Sequence, residues 1–89
     1  NKICFQKSHY AAKMINNLKN YNLKYGYNFL KEFIIESNHD IALLTEYSKR
    51  QGFLIENIQH ILKNCFKICI TEKISKQQID SFIDCLDKY

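Results

Sequence analysis

The sequence predicts an all-α chain folded as a compact bundle of four to five short amphipathic helices. Two observations carry that expectation. The 89 residues include no proline and two glycines, very few for the tight turns that join strands, because those residues supply the special backbone angles turns need. Apolar positions also recur at steps of three and four along the chain, the period that lines side chains along one face of a helix.

Hydrophobic side chains make up 46% of the sequence, enough at this length for one core and not for two. Residues 1–89 therefore read as a single helical domain. Opening on Asn1 and ending on a clean helical stretch, it has the look of a module excised from a longer chain. Asn, Lys, Ile and Tyr are heavily used, a bias that suits a low-GC coding genome and makes Asn and Lys weak functional markers. The net charge of +4 comes from 13 basic and 9 acidic residues that are interspersed along the chain. It gives weak attraction to anions rather than a nucleic-acid clamp. Neither a membrane span nor a secretory signal is expected.

The first helix is expected from Phe5 to about Asn20, with Ala11, Met14, Ile15 and Leu18 on its buried stripe. Asn16, Asn17, Asn20 and Asn22 then compete for backbone groups and break it. Leu23, Tyr27, Leu30, Phe33 and Ile34 resume the helical spacing, so a second helix is expected to reach about Glu36. Ser37 or Asn38 can cap a third, running from about His39 to Gln51, with Asp40 complementing its dipole and Gly52 ending it in the left-handed conformation. The segment Phe53–Ile70 follows as the central helix, burying Leu54, Ile58, Ile61, Leu62, Cys65, Phe66 and Cys69. The last helix has the most explicit start: Ser75 and Gln78 form a capping box, with Ile74 and Ile79 as the hydrophobic staple across it. Its buried stripe is Ile79, Phe82, Ile83, Leu86 and Tyr89.

The four cysteines, at 4, 65, 69 and 85, do not have the spacing of a disulfide framework. Cys65 and Cys69, one helical turn apart, suit buried thiols in a reducing intracellular compartment. A bond between Cys4 and Cys85, or from either to the central helix, is the alternative. No metal site is expected, since cysteine pairs that hold zinc sit on turns or knuckles, and His9, His39 and His60 are scattered. No nucleophile, base and oxyanion-donor pattern appears. Glu32, Glu36, Glu46, Glu56, Asp80, Asp84 and Asp87 read as solvated helix faces. The chain is expected not to be an enzyme and to take no cofactor.

Two binding functions stay open. Ser48, Gly52, Phe53, Ile58 and Ile61 have the spacing of a helix-turn-helix, whose second helix, from Leu54 onward, would offer Glu56, Asn57, Gln59, His60 and Lys63 to a major groove. Phosphate-neutralising residues are few there, so weak nucleic-acid binding is expected. The other function is a protein-partner surface at the first connection, where Tyr21, Lys24, Tyr25 and Tyr27 crowd together; tyrosine is enriched at interface cores. A monomer is favoured.

The opening Ser8-His-Tyr-Ala-Ala-Lys-Met-Ile-Asn-Asn-Leu18, with Ser75 to Ile79, Phe82 and Cys85-Leu86 at the close, resembles the ACDC domain. That module accompanies Apetala-type DNA-binding domains in apicomplexan transcription factors. The resemblance implies a four-helix bundle in a nuclear regulator, non-catalytic, used for protein contacts and separate from the DNA-binding domain of the full-length chain.

Overall fold

A computed structural model describes residues 2–26 and 31–89, with side chains from Phe5 onward. The fold is α/β, not an all-α bundle. In chain order the elements are α1 (Lys2–Asn16), β1 (Tyr21–Lys24), β2 (Glu32–Ser37), α2 (Ile41–Arg50), β3 (Glu56–Asn57), β4 (Cys65–Cys69) and α3 (Lys76–Lys88). The strands form one antiparallel sheet in the order β1-β2-β4-β3.

The register sorts the sheet residues onto two faces. Leu23 lies opposite Ile35 and Ile35 opposite Phe66, while Phe33 faces Ile68. Because strand side chains alternate between faces, Tyr21, Phe33, Ile35, Phe66 and Ile68 share one side. They join a single core with Ala11, Ala12 and Ile15 of α1, Ile41 and Leu44 of α2, and Ile79, Phe82, Ile83 and Leu86 of α3. One sheet face is therefore covered by helices. The other carries Lys24, Glu32, Glu36, Glu56 and Lys67, paired across strands as Lys24–Glu36 at 3.6 Å, Lys67–Glu32 at 3.1 Å and Lys67–Glu56 at 3.3 Å. An antiparallel sheet tolerates such a one-sided arrangement.

Two predicted helices are strands. The helix expected over Leu23–Glu36 is replaced by β1 and β2, whose exposure alternates from Glu32 to Ser37; its Leu30 lies outside the described residues. The central helix expected over Phe53–Ile70 is an extended segment, two strands and the turn between them. Leu54 and Ile61, assigned to its buried stripe, are 84% and 69% exposed. Phe66, Ile68 and Ile70 satisfy strand alternation instead, with the β-branched and aromatic side chains that pack well on a pleated surface. With no helix between Gly52 and α3, there is no helix-turn-helix. Glu56 and Asn57 lie in β3, and Gln59, His60 and Lys63 in the turn to β4.

The helix boundaries that rest on capping follow local chemistry. Ser75 caps α3 through Gln78 N–H, and the Gln78 side chain accepts from Ser75 N–H, closing the capping box. Asp40, rather than Ser37 or Asn38, caps α2, accepting from Leu43 N–H. Gly52, at φ +91°, ends α2. Its N–H donates to Lys49 O and that of Phe53 to Ser48 O, the paired bonds of a Schellman motif.

Candidate functional site

A cleft of about 530 Å³ opens where β3 and β4 part. Its cause is the shortness of β3. Glu56 and Asn57 pair with Lys67 and Phe66, and Ile58 N–H donates to Cys65 O. Upstream, Phe53, Leu54 and Ile55 turn away from β4, led by the left-handed turn at Gly52. Ile68, Ile70, Ile74, Ile79 and Phe82 line the gap, which Phe53 and Leu54 wall on the far side. The floor is buried and apolar, with Ile68 and Ile70 each 3% exposed.

Charge is confined to the rim. Lys67 lies between Glu32 and Glu56, and hydrogen bonds to those two carboxylates, Glu32 first, hold its ammonium above the ordinary lysine range. It is a fixed cation. Two carboxylates against one ammonium leave the rim with a single net negative charge. Cys69, expected in the core, is an exposed free thiol on this rim, whereas Cys65 is buried and burial raises its pKa. Cys85 is a buried free thiol, and the side chain of Cys4 lies outside the described residues.

The tyrosine and lysine group expected to bind a partner is dispersed. Tyr21 is 2% exposed and belongs to the core; its hydroxyl donates to Leu86 O at 3.1 Å, and its ring meets Phe66 edge-on at 6.4 Å. Desolvation raises the Tyr21 phenol's pKa well above the usual value. Lys24 is engaged with Glu36 on the outer sheet face. Tyr25, at φ +64°, is well exposed. Tyr27 lies outside the described residues. Sequence reasoning missed the cleft, because the residues that build it were assigned to one face of a helix. The alternation of Phe66, Ile68 and Ile70 was the signal for it.

No family model matches the chain. Curated proteins do. The chain is 34% identical over 88 residues to the probable glycine dehydrogenase (decarboxylating) subunit 1 of Chloroherpeton thalassium, a match that takes in 94% of this chain and 19% of that protein. It is 31% identical over 84 residues to the protein of the same name from Chlorobium limicola, covering 93% of this chain and 19% of that one. The chain thus spans about a fifth of the length of the curated relatives it matches. Among solved structures, a C-DES mutant with glycine covalently linked to its PLP cofactor superposes with a TM-score of 0.87 at 11% identity, over 99% of this chain and 23% of that one. Glycine decarboxylase (P-protein) of the glycine cleavage system, in inhibitor-bound form, gives 0.87 at 12% identity, over 98% and 20%.

These matches overturn four expectations. The resemblance to the ACDC domain fails, since the relatives are glycine dehydrogenase subunits and the α/β fold recurs in PLP enzymes. The nuclear, apicomplexan transcription-regulator reading fails with it, because the relatives are bacterial. The non-enzyme reading fails because those relatives bear the name of an enzyme. The all-α class fails because the chain has the fold of a segment of much longer α/β enzymes.

Proposed function

We propose that this chain is one lobe of a larger PLP-dependent enzyme of the glycine dehydrogenase (decarboxylating) type, a lobe that shapes the enzyme without itself holding the cofactor. The observation that carries this reading is the end-to-end character of the likeness. Almost the whole chain is matched, at about one residue in three, by a fifth of a relative, as a structural unit retained within a longer polypeptide would be.

The residues present do not fit PLP. Imine formation needs a lysine whose ammonium is destabilised by burial. Here Lys67, Lys76 and Lys88 are instead stabilised as cations, each chiefly by hydrogen bonds to neighbouring carboxylates. Lys7 Nζ donates to Glu72 O and Ile74 O, and Lys24 is paired with Glu36. The remaining lysines with described side chains stand in solvent. A phosphate group would seek free N–H groups at a helix start, yet Asp40 and Ser75 already cap α2 and α3. In this reading the cofactor, its lysine and the chemistry belong to the rest of the polypeptide. This chain contributes a folded wall whose protein contacts are made to that remainder; the exposed Tyr25 is free to join them.

A chimera tests the reading. This chain would replace the matching segment in the Chloroherpeton thalassium protein, with deletion of that segment as control. The expected result is a folded chimera that retains PLP absorbance and decarboxylates glycine with its companion subunits, beside an inactive deletion. A chimera that folds but is as inactive as the deletion would defeat the proposal. So would PLP bound as an imine by the isolated chain, since the cofactor site would then lie within it.

A further inference from the structure

We infer that the cleft beside β4 is a strand-docking site that receives an extended, apolar-alternating segment carrying a basic residue, paired by its backbone to Cys69 and Thr71. The source of that segment, the remainder of a longer polypeptide, rests on the reading above; the binding chemistry does not.

Parity in the sheet fixes which backbone groups face the cleft. Ser37 N–H donates to Asn64 O and Ile70 N–H to Lys31 O, so residues 64, 66, 68 and 70 direct their backbone groups toward β2. Residues 65, 67 and 69 must direct theirs the other way. Cys65 and Lys67 face Ile58 and Glu56 there. The next position belongs to Leu54 opposite Cys69, and among the described residues no backbone hydrogen bond joins them. With no backbone partner on that side among the described residues, the Cys69 N–H and C=O form an open edge, the arrangement that accepts an added strand. Thr71 has the same parity, and its N–H is the group left for the strand, because its C=O already accepts from Ile74 N–H at 3.1 Å.

The cleft supplies what such a strand needs beyond its backbone bonds. Ile68, Ile70 and Ile79 are the buried base of the cleft, and the partly buried Phe53 and Ile74 beside them offer apolar surface to alternate side chains. Leu54, 84% exposed on the far wall, gains a contact only when the cleft fills. The net negative rim of Glu32, Lys67 and Glu56 selects against an acidic segment and favours Arg or Lys on the outward-facing positions. Burial of an apolar floor beside an unpaired edge distinguishes this site from the β1 edge, where the Asn16 side chain already accepts from Leu23 N–H at 2.8 Å.

The test titrates isotope-labelled protein with the synthetic peptide acetyl-Val-Arg-Val-Thr-Val-amide and follows backbone amide resonances. The expected result is saturable shifts centred on Leu54, Cys69 and Thr71, with slowed hydrogen exchange at Cys69. The same peptide N-methylated on alternate residues should bind severalfold more weakly, and so should the original peptide offered to the Glu32→Gln, Glu56→Gln double variant. Three results would overturn the inference: no shifts up to the solubility limit of the peptide, equal binding of the N-methylated peptide, or shifts at these amides that follow protein concentration without peptide. The last would make a second copy of this chain the occupant. None of the three bears on the chimera, so failure of the docking site and failure of the lobe reading remain distinguishable.

Discussion

The two edges of the sheet are finished in opposite ways. At the β1 edge the chain closes its own border: the Asn16 side chain bonds the outward N–H of Leu23, and Tyr21 is anchored through its hydroxyl to the last turn of α3. At the β3 edge a strand of two residues covers only part of β4, and the backbone beyond it opens onto an apolar cleft. Open edges invite pairing with other chains, and natural proteins usually blunt them. Blunting one edge while leaving apolar surface at the other marks the second as a place for contact.

The largest effect that would sharpen this contrast is expected at the closed edge. Tyr21→Ala removes a buried ring and its hydroxyl and should cost about 3–5 kcal/mol, as other large-to-small aromatic truncations do, read as a lower urea midpoint. A cost below about 1 kcal/mol would mean that Tyr21 is not part of the core. Gly52→Ala keeps open space around the new methyl but forces an L-residue into φ +91°; the expected loss is about 1–2 kcal/mol, and no loss would show that the turn into the cleft wall relaxes freely. Asn16→Ala should cost about 1 kcal/mol through its lost hydrogen bond. The variant should also self-associate more strongly than the parent in concentration-dependent sedimentation, because an outward N–H is freed.

Alkaline pH probes the same edge. Below about pH 10 the Tyr21 phenol is protonated in folded and unfolded chains alike. Above it the unfolded chain ionises first, because burial raises the native pKa, and stability falls as pH rises. Tyr47, its pKa raised chiefly by desolvation, adds in the same direction. Tyr21→Phe should flatten that decline in urea titrations between neutral and strongly alkaline pH; an unchanged slope would place the linkage elsewhere. The smallest effect belongs to the open edge. Leu54→Ala should change stability by less than about 0.5 kcal/mol, since an exposed side chain has little to lose, and a larger loss would mean that the cleft wall is packed.

The helices with chemical start and stop signals were legible from sequence. Ser75 with Gln78, and Gly52 after Lys49 and Arg50, are local devices whose geometry depends on few distant residues. The strands were hidden for two physical reasons. Ile34 and Cys65 place apolar groups on the outer face of the sheet, filling the gaps that would have shown a period of two. The scarcity of glycine also misled, because Asn20 and Asn64 take the left-handed conformation at φ +75° and +64°. Asparagine tolerates that region better than most residues, so in an Asn-rich chain the count of glycines and prolines understates the capacity for turns. The cleft was illegible for a further reason: it depends on where β3 stops pairing with β4, a property of register and not of composition.

Two phenols finish α3. Tyr21 donates to Leu86 O and Tyr47 to Cys85 O, across 65 and 38 positions of sequence. The start of this helix is specified by four adjacent residues and its end by two remote ones, so the two halves should not form together during folding. The capped first turns can appear as soon as the local chain collapses, whereas the final turn must wait for β1 and α2 to arrive. In the native protein the same asymmetry predicts a coupled exchange pattern. Amide protons near the end of α3 should open with the β1 region, and those near Ile79 should open independently of it.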